Sequence, residues 1–373
     1  MQRIFAKRAH VLVSAMVLSV VTTVSWSQSI TWLGTLGGVE SGAWGVSNNA
    51  QVVGSARFAN GRFRAFYWEN GSMYDRGTIG ISSEATGISA DGTVSVGWGS
   101  PSTSNPGPFA YRWVGVWAHS LGTLGGNASA AWGVSSDGSV IVGWARPGLS
   151  TLPRAFRWTT AGMQNLGTLG GGQSAAYGVS ADGSVVVGWA HNTSNRGRAF
   201  RWTQATGMVD LGTLGGVDSE SYGVSADGSV VVGRATNASS HWRAFRWTQA
   251  TGMQDLGTFG GNESLAQDIS GDGSIIVGRA YNASNQDRAF RWTQDGGLED
   301  LNLTYASLLT GGSILYDARG ISLNGRYIVG YGFHAASGRN EAFLLDTVPE
   351  PASLMALGAG LAGLLGLRRR RAR

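Results

Sequence analysis

The chain has 373 residues, of which 28 are basic, 23 acidic, 59 glycine and none cysteine. The absence of cysteine excludes a disulfide framework, a thiol nucleophile and a thiolate metal site. The positive charge does not point to nucleic acid: three basic residues precede residue 28 and five follow residue 367, and with Glu350 also set aside residues 28–347 hold 20 basic against 22 acidic residues.

Residues 1–27 place Arg3, Lys7 and Arg8 ahead of an apolar run from Val11 to Val24 and a small-residue exit at Ser25-Trp26-Ser27. This is the layout of a secretory signal peptide, cut near Ser27 and Gln28. The run is shorter than the roughly 20 residues a spanning helix needs.

From residue 28 to 347 one pattern recurs: L-G-T-L-G-G, then G-V-S-x-D-G-S-V-V-V-G, then R-A-F-R-W-T, then G-M-x-D. Its first Gly falls at Gly34, Gly77, Gly122, Gly167, Gly212 and Gly257, in steps of 43, 45, 45, 45 and 45 residues. A worn seventh copy starts near Leu301 and keeps I-S-L-N-G-R-Y-I-V-G at 321–330 and E-A-F-L-L-D at 341–346. Self-similarity at this period means that each copy is one supersecondary unit, burying apolar surface mainly against its neighbours.

Within the fourth copy, Tyr177 to Ala181 and Ser184 to Ala190 read as two strands joined by Asp182-Gly183, a pair suited to a two-residue type I′ hairpin. Arg198 to Thr203 and Met208 to Leu214 read as two more, joined by a turn at 204–207. The unbroken runs Val185-Val186-Val187 and Ile275-Ile276-Val277 predict a strand buried on both faces, as in sheets stacked face to face. Three strands of the unit occur seven times but no fourth strand follows Asp346, while an orphan strand stands at Ile30 to Leu36. The expected fold is therefore all-β: a seven-bladed β-propeller of four-stranded antiparallel blades, closed by the N-terminal strand completing the last blade. A β-solenoid is the rival, and it has no use for complementary ends.

The repeated Asp91, Asp137, Asp182, Asp227 and Asp272 each precede Gly in a hairpin and read as turn formers, with Asn49 and Asn324 in the outer copies. Arg201, Arg246 and Arg291 are expected opposite Asp210, Asp255 and Asp300 as cross-strand ion pairs. Phe200 with Trp202, and Phe245 with Trp247, share a face and fill the space between blades. The connection between second and third strands varies among copies, and loops on a rigid scaffold are where binding resides. The candidate contacts there are Arg146, His191, His241, Trp242, Tyr281 and Asn282, suited to a hydroxyl-rich ligand or a surface protein.

No metal spacing, no G-x-S-x-G, no H-E-x-x-H and no phosphate loop is present, so neither cofactor nor metal is expected and the chain reads as non-catalytic. The alternative is a propeller-type glycan hydrolase or lyase with a site in the central channel, drawing on Glu84, Glu220 or Asp268, the acids that break the repeat at inner-strand positions.

The chain ends in Pro349-Glu350-Pro351, an apolar run from Ala352 to Leu367 and R-R-R-R-A-R. At about 1.5 Å per residue that run barely crosses a bilayer core, and its basic flank would stay cytoplasmic. This order of parts resembles the PEP-CTERM sorting signal of Gram-negative bacteria. The resemblance implies an exosortase-type membrane enzyme as partner, transient inner-membrane anchoring, and export to the cell surface or an exopolysaccharide-containing matrix. A plain C-terminal anchor is the alternative. The unit itself resembles the extracellular HAF repeat family over residues 33 to 346, with Arg-Ala-Phe at 154–156, 198–200, 243–245 and 288–290 where that family has His-Ala-Phe. That family implies a secreted repeat protein with no known activity. The domains read as a signal peptide (1–27), a repeat domain (28–347) and a sorting signal (348–373).

Overall fold

Short β-branched and aromatic runs punctuated by glycine turns fold each copy into antiparallel strands. The computed structural model describes residues 28–76, 79–101 and 107–347. The fourth copy forms Gly170–Val179, Val185–Asn192, Gly197–Thr203 and Gly207–Asp210, side by side in that order. Unit 1 spans residues 37–75, unit 2 82–122, unit 3 125–165, unit 4 170–210, unit 5 215–255, unit 6 260–300 and unit 7 314–346. Units 2 to 6 are separate four-stranded sheets. A parallel bridge from Glu40 to Asn340 links unit 1 and unit 7 into one sheet, eight-stranded with Ser29–Trp32, and among the described residues no sheet closes on itself. Unit 7 has three strands of its own, and Ser29–Trp32 pairs antiparallel with the last of them, Ser29 opposite Asp346 and Trp32 opposite Phe343.

Several local expectations are corrected. The Asp-Gly hairpin is not type I′: only Gly183 has positive φ (74°), and Gly183 N–H donates to Ser180 O while Ser180 N–H donates to Val185 O, a four-residue loop. Asp182 shapes it by accepting from Ser180 Oγ at 2.7 Å and from Ser184 N at 3.0 Å. The first strand begins at Gly170 rather than Tyr177, and the fourth stops at Asp210. The closing strand is Ser29–Trp32, four residues instead of Ile30 to Leu36. Unit 7 starts at Ile314, because Leu301–Thr304 form a helical turn capped by Asp300.

The arginine register is also different. Asp210 lies opposite Phe200, Asp255 opposite Phe245 and Asp300 opposite Phe290. Asp255 instead pairs with Arg243 at 3.2 Å, and Asp210 lies 3.9 Å from Arg198. Arg201 Nε reaches across to Gly228 O of the next unit at 3.1 Å, and Arg157 Nε does the same to Gly183 O at 3.0 Å. Arg291 pairs with Glu299 at 2.8 Å.

The apolar runs place the core between sheets. Val186 joins Phe200 and Trp202 in a cluster with Val140, Val142 and Ala155 of unit 3, while Val185 and Val187 join one with Val231 and Phe245 of unit 5. The middle strand is thus buried on both faces, and burying each such side chain contributes about 1.5–3 kcal/mol. Equivalent clusters lie between each pair of successive units, and another joins Val329, Ala342 and Leu344 of unit 7 to Val52 and Phe66 of unit 1.

The Asp-Gly hairpins share one face of the molecule. Along it Asn48 N–H donates to Ala90 O, Ala90 to Ser136, Ser136 to Ala181, Ala181 to Ala226, Ala226 to Gly271 and Gly271 to Leu323, at 2.8–3.1 Å. Asn324 N–H then donates to Asn48 Oδ1 at 2.9 Å. The opposite face carries the connections between second and third strands, against which the Gly-Gly bends fold, as in the bridges Leu169–Asn192 and Leu214–Asn237.

Candidate functional site

Each first strand carries a β-bulge one residue before a glycine, or before Asp268 in unit 6, where the register slips between Ala43 and Gly45, Ala131 and Gly133, Ala176 and Gly178, and so on through the repeats. A bulge re-aims the extra side chain. The bulged residues are Trp44, Thr86, Trp132, Tyr177, Tyr222, Gln267 and Arg319, and all of them line one cavity of about 430 Å³. Below them the wall is made by the following glycines, three of which have no room for a side chain: a Cβ on Gly133, Gly178 or Gly320 would sit 2.6 Å from the carbonyl oxygen of Tyr177, Tyr222 or Trp44. Unit 6 alone breaks this pattern with Asp268, whose carboxylate accepts from Ile321 N–H of the next unit at 3.0 Å and from Ile269 N–H at 2.8 Å. Burial pushes Asp268 up to about 6.

The bulged side chains interlock. Tyr177 stacks on Tyr222 with centroids 5.2 Å apart, Trp132 meets Tyr177 edge-on at 5.8 Å, and Arg319 lies 3.9 Å above Trp44. Burial, with the Glu220 charge next, carries Tyr177 up to about 12 and raises Tyr222 as well. Both phenols are neutral at ordinary pH, Tyr222 donating to Glu220 and Tyr177 accepting from Trp189 Nε1 at 3.0 Å.

Toward the loop face a second ring follows on the second strands: Ser55, Trp98, Trp144, Trp189, Arg234, Arg279 and Tyr331. Glu220 accepts from Arg234 Nε at 3.0 Å and Nη2 at 2.8 Å and from the Tyr222 hydroxyl. Glu84 accepts from Ser55 Oγ at 3.0 Å and Trp98 Nε1 at 3.1 Å, and burial raises its pKa despite those donors. Asp317, nearly buried, accepts from Arg319 Nε at 3.1 Å and Gln267 Nε2 at 3.3 Å. Sequence reasoning found Glu84, Glu220 and Asp268. It missed the aromatic and arginine positions, although the signal was present: these are the columns where an otherwise uniform repeat changes residue type.

The loop candidates fall into two groups. Trp242 and Tyr281 come together with Arg234, Glu263 and Arg279 around a recess between units 5 and 6, of about 10 Å³, and Arg234 lies 4.3 Å over the Trp242 ring. Arg146 and His191 stand apart on units 3 and 4. Arg146 Nη1 donates to Asn127 Oδ1 at 3.3 Å, and His191 packs 5.1 Å from Trp189 with Nδ1 buried and unpartnered. His241 is exposed. Asn282 is committed to its own loop, its Oδ1 accepting from Ser284 and Gln286 N–H at 3.0 Å, and Asn192 and Asn237 do the same, so three of the connections share one conformation. Residues 102–106 of the unit 2 connection, and Pro349, Glu350 and Pro351, lie outside the described residues.

Residues 347–371 match the PEP-CTERM protein-sorting motif. The motif supports an exported, extracellular protein processed by an exosortase-type membrane enzyme. No helix among the described residues is long and apolar enough to cross a membrane, and the apolar run of the tail lies outside them. No curated protein matches the sequence. Among solved structures the chain is similar to TolB from Acinetobacter baumannii, at 15% identity and a TM-score of 0.49 over 66% of this chain and 62% of that one. It is also similar to a protein described as TolB from Agrobacterium tumefaciens, at 14% identity and a TM-score of 0.48 over 74% of this chain and 95% of that one.

Proposed function

We propose that the chain is a non-catalytic surface protein, a closed seven-bladed β-propeller that binds extracellular polysaccharide on its loop face after exosortase sorting. The closed ring is supported by the run of hydrogen bonds along the hairpin face, which returns from Asn324 to Asn48, and by the apolar cluster between units 7 and 1. The HAF-like unit fits the same extracellular reading. Transient anchoring of the tail in the inner membrane belongs to this proposal too.

One observation carries the binding reading: the positions where the repeat abandons its pattern converge on the axial cavity and its loop-side mouth, and they are filled by aromatic rings and paired polar groups. Apolar walls with a few placed polar groups are what small-molecule and glycan sites consist of. A glycan array together with a reducing-sugar release assay on the purified protein tests it, with retention and no release expected. A hydrolase or lyase has one observation in its favour, the raised pKa of Glu84. Sugar release lost in both Glu84→Gln and Glu220→Gln would establish that reading instead, and retention of a surface protein with no glycan bound would replace the ligand class.

A further inference from the structure

We propose that Trp98, Trp144 and Trp189 form a stacking platform for an uncharged polysaccharide at the loop-side mouth of the axial cavity; this rests on the binding reading above and narrows it to one face and one ligand class. The three hold the same repeat position in successive units, on the second strand, opposite Glu84, Ala130 and Ala175. The fold does not require an indole there. The equivalent residues are Ser55 in unit 1, Arg234 and Arg279 in units 5 and 6, and Tyr331 in unit 7.

Positions that packing does fix behave otherwise: one column holds Phe66, Phe156, Phe200, Phe245, Phe290 and Phe343, all fully buried, and only unit 2 departs from it, with another aromatic, the partly buried Tyr111. The indoles, by contrast, stay half-buried. A large aromatic group that the core does not demand, repeated in three neighbouring units, makes an apolar surface of the kind that marks binding. Hydrogen bonds hold two of the rings in place, Trp98 Nε1 to Glu84 and Trp189 Nε1 to Tyr177 Oη at 3.0 Å. Opposite Trp144 and Trp189, alanine leaves no long side chain to cover the ring. Arg146 and His191 lie two residues beyond Trp144 and Trp189 on their strands, hence on the same face and nearer the rim.

Charge sets the ligand class. Where the indoles stop, three guanidiniums already have carboxylates, Arg234 with Glu220 at 2.8 Å, Arg279 with Asp287 at 2.8 Å and Arg319 with Asp317 at 3.1 Å, while Arg146, nearer the rim, has the Asn127 amide at 3.3 Å. A polyuronate would bring its carboxylates against Glu84, Glu220 and Asp317 with these cations already engaged, which disfavours it. Neutral hydroxyls meet donors and acceptors at no net charge.

Affinity electrophoresis of the purified full-length protein in gels containing dextran, laminarin, mannan or polygalacturonate tests the proposal. At least one neutral polymer is expected to retard it, more strongly than polygalacturonate. Trp144→Ser with Trp189→Ser, the residue type that unit 1 tolerates, should weaken that retardation at least tenfold at a temperature where circular dichroism shows the variant still folded, and Trp117→Ala, on an outer strand, should be retarded like the parent. Retention of neutral-polymer binding by the double variant, with loss in Trp242→Ala, would overturn the platform and leave the loop-face reading standing. Stronger retardation by polygalacturonate would overturn the ligand class, and retardation by no polymer would remove the platform and the polysaccharide reading together.

Discussion

At the scale of single residues, two kinds of aspartate pull the pH dependence in opposite directions. Asp182 is held down to about 2, chiefly by the Ser180 hydroxyl, and its counterparts Asp91, Asp137 and Asp227 are lowered in the same way. The unfolded chain binds protons more tightly at these sites, so the stability they contribute is lost as pH falls from about 4 toward 2. Asp268 is the reverse case. The folded protein holds its proton up to about 6 where the unfolded chain releases it near 3.8, so stability falls as pH rises through that window. Asp268→Asn is therefore expected to unfold at the same urea concentration as the parent at pH 4 and at a higher one at pH 7. An equal offset at both pH values would show that burial of the charge is not what matters. The turn role of Asp182 was readable from its place before Gly183. The raised Asp268 was not, because its cause is burial, which the packing of unit 6 against its neighbours creates and no local stretch of sequence contains.

At the scale of elements, the closing strand is the informative one. Its existence followed from counting strands, since three are left at one end and an orphan at the other. Its length did not: Trp32 pairs with Phe343 and stacks on His334 at 4.8 Å, Leu33 N–H still donates to Ala342 O at 2.9 Å, and Gly34 then turns the chain away with a φ of 76°. Trp32→Ala should lower stability by about 2 kcal/mol, the cost of uncovering a half-buried aromatic, measured by urea unfolding. Removal of residues 28–32 should do more, freeing the edge of Arg339–Asp346 for pairing with another chain. A truncated protein that stays monomeric in size-exclusion chromatography with an unchanged midpoint would argue that the strand is dispensable. The arginine register illustrates the opposite limit. Spacing alone allows Arg201 to face Asp210, but the short turn at 204–206 pairs Thr203 with Gly207 and so shifts every partner by one.

At the scale of the whole molecule, both ends of the folded body leave from the hairpin face. Ser29 lies opposite Asp346, and Thr347 N–H donates to Arg326 O beside the Asn324 turn. The sorting motif begins at residue 347, so a protein held by its tail turns the loop face and its tryptophans away from the point of attachment. The absence of native cysteine makes this easy to measure. In the membrane-held form an impermeant maleimide should label Ser239→Cys on the loop face several-fold faster than Ser229→Cys on the hairpin face, with equal rates once the protein is detached. Equal rates in both forms would remove the orientation.

The sequence by itself determined the unit, its four strands, the double-sided burial of Val185 to Val187 and the export signal, because each rests on local periodicity or on a contiguous motif. Only the tertiary structure decided which varying columns meet, since Trp98, Trp144 and Trp189 are about 45 residues apart along the chain and become neighbours through the stacking of whole sheets. The bulge that turns Tyr177 and its counterparts toward their common cavity is likewise a property of strands paired out of step, a relation that no stretch of one strand contains.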